Sequence, residues 1–398
     1  MLEASSDSLE SWRDEFPILH RSTYMISNSL GAMPRGVALS LAEYAETWAT
    51  RGVRAWEERW WEMAGEVGNR VAAIIGASAG SVSMHDNVTT AQMVALSCLK
   101  PEGRRRKIVC SAADFPSMIR LYRAQEALGV EVHVVSAGDA LNVTEEHLVD
   151  AIDEDTLIVA FSHVLFRTSF IVDPRPVIER ARRVGALTML DVYQSAGIVP
   201  FGVSELDIDF ATGGCLKWLC GGPGNGFLYT RPELLRTVRP RFTGWLALSR
   251  PCAFDIDDDM LREDGMRMMN GTPPIPTYYA AIPGLDIIGQ VGVGPIREKS
   301  RRMTARLLDL VDRRGWQTPT ARDPERVAGT VAIDIPDALP ASRELQALEV
   351  VVDYRPRVGI RVSPHFYNTF DELDRVVQAL ADVVEAREFG EVTSSRVT

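Results

Sequence analysis

Hydrophobic residues occur along much of the chain in short continuous runs, and amphipathic stretches separate several of these runs. Continuous apolar runs are typical of strands buried on both faces, whereas apolar spacings of three and four residues indicate helices. Strands are predicted at Ile108–Ser111, Val130–Val135, Leu157–Phe161, Leu187–Leu190, Ile208–Thr212 and Phe227–Thr230. Helices are predicted between them at Ser117–Leu128, Glu145–Ile152 and Pro176–Val184. This alternation predicts an α/β fold with a mostly parallel sheet covered on both faces.

A second pattern follows the stretch Pro273–Pro276, which we expect to interrupt the chain. The elements predicted after it are a long amphipathic helix, a strand, a β region and a last helix, at Pro295–Arg314, Val331–Ile335, Val350–Val362 and Asp371–Ala386. Helix, strands and helix in this order predict a smaller α+β domain at the C-terminal end. A chain of 398 residues is long enough for two such domains.

Composition narrows the possible functions. The net charge of −11 gives no general affinity for nucleic acid or for acidic membrane surfaces. No apolar stretch reaches the roughly 18 to 20 residues that span a bilayer, and the polar, acidic N-terminus does not resemble a secretory signal. The five cysteines are scattered without metal-like spacing, so we expect reduced thiols, no metal site and a cytoplasmic protein.

Asp191 and Lys217 are the most informative candidate site residues. Asp191 ends the apolar run Leu187–Leu190, and Lys217 lies 26 positions further on, among small and apolar residues. An acid at the carboxyl end of a buried strand and a desolvated lysine suit pyridoxal phosphate (PLP). This cofactor needs an amine to hold it as a Schiff base and an anion to keep its ring nitrogen protonated. A turn cap and a surface lysine are the structural alternatives.

Two segments could contact a phosphate. The segment Asn87–Ala91 precedes a predicted helix at Ala91–Leu99, and free N–H groups with two hydroxyls at a helix start suit an anion. An ordinary threonine N-cap is the alternative there. The glycine-rich segment Gly221–Gly226 leads into a strand rather than a helix, so it fits neither a dinucleotide fingerprint nor a Walker loop.

Several motifs in order resemble the kynureninase branch of the class V, fold-type I PLP enzymes, and the resemblance covers most of the chain. They include Asn28-Ser29-Leu30-Gly31, Phe115-Pro116-Ser117, Ser162-His163-Val164, Asp191 to Gly197, Lys217 to Gly224, Gly244-Trp245, Gly271 to Ile275, and Arg361 with Tyr367 to Phe370. The resemblance implies a seven-stranded, mostly parallel PLP-transferase sheet with a smaller C-terminal domain. It also implies that PLP is the cofactor.

The resemblance also implies a role for each site residue. Lys217 is the Schiff-base lysine and proton shuttle, and Asp191 pairs with the ring nitrogen. The other cofactor contacts are implied to be Gln194 at the ring hydroxyl, Phe115 stacked on the ring, Ser162 beside it, and Val88, Thr89, Thr90, Trp245 and Thr272 around the phosphate. Arg361 is implied to grip the substrate α-carboxylate, with Asn28 and Ser29 at the substrate entrance. His365 is either an acid/base near the substrate or a structural histidine.

The chain departs from kynureninases at three positions. Leu216 replaces a tyrosine before the lysine, Gln194 replaces a histidine after the aspartate, and Met118 replaces an acidic residue. We therefore predict a kynureninase-like lyase or hydrolase that cleaves a Cβ–Cγ or Cβ–heteroatom bond on an amino acid other than kynurenine. Cysteine desulfuration is not expected, since no cysteine follows Cys252. A class V aminotransferase, an epimerase resembling isopenicillin N epimerase, and a non-catalytic binding protein are the alternatives.

The predicted organisation combines these results. Residues 1–60 form an N-terminal segment that joins the small domain and a dimer interface, residues 61–275 form the PLP domain, and residues 276–390 form the small domain. Residues 391–398 are a tail. We expect a homodimer acting on a small-molecule amino acid, with Trp245 and Thr272 contributed partly from the neighbouring subunit.

Overall fold

A computed structural model describes residues 8–138 and 141–394, and within these ranges it contains twelve strands and twelve α-helices. The strands are β1 Thr23–Tyr24, β2 Val82–His85, β3 Lys107–Ser111, β4 Glu131–Val135, β5 Thr156–Ser162, β6 Leu187–Asp191, β7 Phe210–Gly214, β8 Gly226–Thr230, β9 Val331–Ile333, β10 Val350–Val351, β11 Asp353–Arg355 and β12 Gly359–Val362. The helices are α1 Gly36–Arg51, α2 Trp61–Ile74, α3 Val88–Ser97, α4 Pro116–Ala124, α5 Glu145–Ala151, α6 Pro174–Val184, α7 Val203–Leu206, α8 Pro232–Leu235, α9 Ile275–Val291, α10 Val293–Arg313, α11 Ala338–Ala347 and α12 Phe370–Ser394.

The central sheet has seven strands in the order β2-β8-β7-β6-β5-β3-β4. Strand β8 runs antiparallel to both of its neighbours, and the pairs from β7 to β4 are parallel. All six strands predicted from apolar runs are present, which confirms the mostly parallel α/β sheet. Strand β2 was not predicted, because its four residues Val-Ser-Met-His form neither a continuous apolar run nor a recognisable alternation.

The long apolar helix α9 corrects the expected interruption at Pro273–Pro276. It begins at Ile275, and Pro276 lies in its first turn, where the missing N–H has no intrahelical partner to lose. A second proline, Pro283, lies inside the helix where α1 packs against it, 3.3 Å from the position of a Cβ built on Gly36. The helix was missed because it is apolar on most of its surface and lacks a polar face.

A second buried core forms around the C-terminal elements, with α10 and α12 covering the three-stranded sheet β11-β12-β9. The division at residue 275/276 remains a prediction. Helix α12 continues to Ser394, within the segment predicted as a tail, and residues 395–398 lie outside the described ranges. None of the helices in the described ranges is both long enough and apolar enough to cross a membrane.

The N-terminal segment connects the two cores. Strand β1 pairs in parallel with β10, and Met25 is buried in the C-terminal core. Further along, the Ser27 hydroxyl lies 2.7 Å from that of Tyr367, and the Gly31 N–H donates to the Leu216 carbonyl at 2.8 Å. The segment therefore reaches from the small sheet to the turn that carries Lys217.

Candidate active site

Asp191 and Lys217 lie at the carboxyl edge of the central sheet, on neighbouring parallel strands. Asp191 is the last residue of β6, and Lys217 comes shortly after β7 ends at Gly214. The two strands pair with Asp191 opposite Thr212. Ligands of open α/β folds gather at this edge, so adjacent strands bring the acid and the amine to the same place.

A cavity of about 270 Å³ lies between them, and we refer to it as the Lys217 cavity. Among the residues predicted to form the site, its walls contain Lys217, Asp191, Gln194, Val88, Phe115, Ser162 and Ser29. The remaining lining residues are Met118, Val164, Phe166, Tyr193 and Leu216. The walls are thus largely apolar, with an amine, a carboxylate and a carboxamide at fixed places.

Burial shifts the charge states of the pair in opposite directions. Desolvation lowers the pKa of Lys217 below its ordinary value of 10.5, while the Asp191 carboxylate opposes this shift. Desolvation raises the pKa of Asp191, and the Tyr193 N–H bond at 2.9 Å and the charge of Lys217 oppose it. A buried lysine with a lowered pKa is more readily available as the neutral amine that attacks a carbonyl.

The ring of Tyr193 supports the lysine. Lys217 Nζ lies 4.3 Å from the centre of this ring. The ring packs so closely on Gly214 that a Cβ at that position would come within 2.9 Å of Tyr193 Cε2. Glycine is therefore required at the end of β7. Sequence reasoning did not assign Tyr193 a role, although its position two residues after Asp191 was a usable signal.

Gln194 is held in a defined orientation by two hydrogen bonds. Its Oε1 accepts from Trp218 Nε1 at 3.0 Å, and its Nε2 donates to the Asn28 carbonyl at 3.0 Å. The second Nε2 hydrogen remains for a group in the Lys217 cavity. Asn28 is buried beside it, and neither atom of its own side-chain amide has a hydrogen-bond partner among the described residues. Buried polar groups are normally satisfied, so this amide is suited to a ligand.

The start of α3 differs from the expectation in one respect. The helix begins at Val88 rather than Ala91, and Asn87 caps it by accepting from the Thr90 N–H at 3.0 Å. The N-cap is therefore an asparagine and not a threonine, because a side chain just before the first turn has the required reach. Val88 lines the Lys217 cavity, but Thr89 and Thr90 do not.

Asp114 is a buried acid that sequence reasoning missed. Its carboxylate accepts from the Ser111 N–H and the Ser162 N–H, both at 2.9 Å, and so joins the carboxyl ends of β3 and β5. Burial raises the pKa of Asp114 to about 7, and nearby Asp191 adds to the shift while the hydrogen bonds oppose it. Its position directly before Phe115 was the available signal.

Arg361 lies just behind the cavity wall. Its guanidinium forms a bidentate pair with Asp353, at 2.8 Å and 2.6 Å, and also donates to the carbonyl of Phe166, which lines the Lys217 cavity. Asp353 faces Arg361 across β11 and β12. The predicted carboxylate grip therefore already engages a carboxylate of the chain itself, on one edge of the guanidinium.

His365 has the surroundings of a structural histidine. It is buried, its Nε2 lies 2.9 Å from the Trp218 carbonyl, and its ring packs edge-on against the indole of Trp218 at 5.3 Å. Burial lowers its pKa to about 3. It supports the residue that orients Gln194 and does not line the Lys217 cavity.

Trp245 and Thr272 lie outside the Lys217 cavity of their own chain. Trp245 packs edge-on against Trp61 at 5.4 Å and stacks on Phe254 at 5.9 Å. Thr272 is exposed. Both were predicted as phosphate contacts contributed partly from a neighbouring subunit, and within one chain they do not join the other predicted residues.

Comparisons with known proteins agree with this arrangement. Residues 23–376 match the family model described as aminotransferase class-V. A kynureninase of Pseudomonas fluorescens is 30% identical over 401 residues, covering 96% of this chain and 94% of that protein. The uncharacterized aminotransferase YcbU of Bacillus subtilis (strain 168) is 29% identical over 372 residues, covering 94% of this chain and 97% of its own length.

Two solved structures share the fold. The apo cysteine desulfurase of Thermococcus onnurineus NA1 superposes with a TM-score of 0.83 at 22% identity, covering 95% of this chain and 98% of that one. A mutant of C-DES with glycine covalently linked to the PLP cofactor gives 0.85 at 20% identity, covering 93% and 99%. The chain therefore belongs to the class V aminotransferase family and is a kynureninase-like, PLP-dependent enzyme of fold type I.

Proposed function

We propose that this enzyme acts on an amino acid as a kynureninase-like lyase or hydrolase that breaks a Cβ–Cγ or Cβ–heteroatom bond. One observation supports the proposal most directly: Lys217 and Asp191 line a single cavity, and burial lowers the pKa of the lysine. When bound, PLP withdraws electrons from the bonds at the substrate α-carbon. The residues of the chain must then hold the ring, exclude water and move protons.

The described residues suit PLP. The Lys217 cavity offers an amine for the aldehyde and a carboxylate for the ring nitrogen, and Val88, Phe115 and Val164 supply apolar walls for a flat ring. The unpartnered amide of buried Asn28 indicates a further polar group to be satisfied there. A flat ring with polar groups on its edges has the chemistry that these walls would accept.

Each residue then has a specific task. Lys217 holds the cofactor and afterwards carries a proton at Nζ, which its lowered pKa favours. Asp191 keeps the ring nitrogen protonated, and the Tyr193 N–H keeps the carboxylate in place. Gln194 donates its second Nε2 hydrogen to the ring hydroxyl. Phe115, which is partly exposed at the cavity wall, covers one face of the ring.

The cavity walls argue against kynurenine as the substrate. Leu216 and Met118 line the cavity where kynureninases carry a tyrosine and an acidic residue. Neither side chain can donate or accept a proton, so the proton transfers available at the substrate side chain are reduced. The bond at Cβ would therefore be broken in a substrate whose leaving group needs less assistance.

An aminotransferase is the second candidate, because YcbU, which is described as an aminotransferase, is similar to this chain over nearly the full length of both. Both reactions begin with removal of a proton from the substrate α-carbon by Lys217. They differ in where that proton returns, which product analysis can decide.

The experiment has two stages. We expect PLP to give the protein a visible absorption band that Lys217→Ala removes, whereas the exposed lysine variant Lys100→Ala keeps it. Borohydride should fix the cofactor on the peptide that contains Lys217. A panel of amino acids is then scored for keto acid, alanine, ammonia and racemised product. Dominant amino transfer would reject the lyase, and a bound cofactor without any product would indicate a non-catalytic relative.

A homodimer is supported by an apolar surface around the N-terminal segment and α1. A cavity of about 610 Å³ there is lined mainly by apolar side chains, and Leu39 and Trp48 are 76% and 62% exposed on α1. Patches of this kind mark protein interfaces. A second copy could bring Trp245 and Thr272 to the phosphate end of the site, as their position outside their own cavity requires.

The free thiols support a cytoplasmic location. All five cysteines are unpaired, and three of them, Cys110, Cys215 and Cys220, are buried. Burial raises the pKa of each of these three thiols to about 12, so they are unreactive at neutral pH. Reduced, inert thiols are typical of proteins in a reducing compartment.

A further inference from the structure

A group of arginines surrounds one wall of the Lys217 cavity. Phe166, which lines the cavity, is at the centre of the group: the Arg361 guanidinium donates to its carbonyl, and the Arg167 guanidinium stands 4.7 Å above its ring. Arg355 completes the group on the neighbouring strand β11, where it shares Asp353 with Arg361.

The positive charge of this group exceeds the negative charge paired with it. Asp353 accepts from both Arg361 and Arg355, at 2.6 Å and 2.9 Å between the closest atoms. Arg167 forms no ion pair with a carboxylate in the ranges 8–138 and 141–394, and the neighbouring charges that lower its pKa are those of Arg357 and Arg361. Three arginines therefore share one carboxylate, in a chain whose net charge is −11.

The arrangement of these groups separates two binding positions. Asp353 and the Phe166 carbonyl use three of the five N–H groups of Arg361, so its remaining donors suit one carboxylate. Arg167 is half-buried and lies on the far side of the Phe166 ring, where it is desolvated without an opposite charge. A desolvated guanidinium near a ligand cavity is suited to a bidentate acid.

The geometry points to a substrate with two acidic groups, an α-carboxylate held at Arg361 and a second acid on the side chain held at Arg167. Two negative charges would match the two unbalanced positive charges of the group. This inference rests on the proposed function and narrows its substrate class to acidic amino acids. It also explains why a wall of the cavity carries so much positive charge.

The test uses the enzyme reconstituted with PLP and pairs of amino acids that differ in charge and little in shape. Binding of L-aspartate, L-glutamate and L-2-aminoadipate is measured from the change in the visible band and compared with that of L-asparagine, L-glutamine and the 6-amide of 2-aminoadipate. For at least one pair we expect the acid to bind about tenfold or more tightly, since a charge-assisted hydrogen bond is worth more than one tenfold step.

Arg167→Gln should abolish that preference without changing the affinity for PLP, and Arg167→Lys should retain part of it. Arg183→Gln, which removes an exposed arginine on the outer face of α6, is the matched control and should leave the preference intact. Equal binding of acid and amide in every pair would overturn the inference. So would an Arg167→Gln variant that loses PLP affinity but keeps the preference. An enzyme that forms no visible band with PLP would instead refute the proposed function.

Discussion

Gly31 provides a direct test of how the N-terminal segment supports the cofactor lysine. A Cβ at this position would lie 2.9 Å from Cys220 Sγ and 3.1 Å from Cys220 Cα, and closer still to the Lys217 carbonyl oxygen. Two of these neighbours are backbone atoms, so they cannot rotate away. Gly31→Ala must therefore push the segment and the lysine turn apart and break the hydrogen bond from Gly31 N–H to the Leu216 carbonyl.

The cost can be worked out from these contacts. Overpacking of this kind costs about 1 to 3 kcal/mol, and the lost backbone hydrogen bond adds about 0.5 to 1.5 kcal/mol. We expect Gly31→Ala to lower the free energy of unfolding by about 2 to 4 kcal/mol. Because Asn28 and Ser29 move with the segment, we also expect weaker PLP binding.

The assay compares denaturant midpoints and PLP titrations for the wild type and two variants. Gly289→Ala is the control, since Gly289 is exposed on α9 and no described atom lies within 4 Å of the added Cβ. Alanine in a helix should stabilise the control by about 0.5 to 1 kcal/mol. Our reasoning is refuted if Gly31→Ala unfolds at the wild-type midpoint and binds PLP with unchanged affinity.

Three further predictions concern titratable groups. The rate of PLP incorporation into the cofactor-free protein should rise with pH and reach half its maximum well below pH 10.5, because the neutral amine of Lys217 reacts and its pKa is lowered; a half-maximum at an ordinary lysine pKa would contradict this. Folding raises the pKa of Asp114 to about 7, so the folded protein holds a proton that the unfolded chain releases, and stability should fall as pH rises from about 4 to 7. Asp114→Asn should flatten that slope in denaturant titrations, and an unchanged slope would count against it. His365→Gln should lower stability by about 1 to 3 kcal/mol yet leave the pH profile of kcat/KM unchanged, since a histidine with a pKa of about 3 stays neutral; a shifted profile would assign it an acid/base role.

The sequence carried most information where chemistry and hydrophobic pattern coincide. Leu187–Leu190 is a continuous apolar run that ends in an acid, so both β6 and the position of Asp191 could be predicted. Strand β2 and helix α9 lack such a pattern, and only packing against other elements defines them. The local motif likewise suggested an anion site at α3, while the identity of its cap depended on backbone geometry that composition does not specify.

Contacts between distant segments were the part that could not be predicted. Arg361 was assigned to a substrate carboxylate, but Asp353 pairs with it only because the register of β11 and β12 places them opposite each other. Asp114 was missed since its partners, Ser111 and Ser162, lie on different strands. Trp245 and Thr272 depend on a surface that one chain alone does not provide.

The pairing of β1 with β10 has a mechanical consequence. Residues 23 and 24 are fixed to the small sheet, and Gly31 is fixed to the lysine turn, so the short piece between them acts as a tie rod across the two cores. A rotation of the C-terminal elements by a few degrees would pull directly on Asn28. Substitutions deep within that core could therefore change substrate affinity without coming near the cofactor.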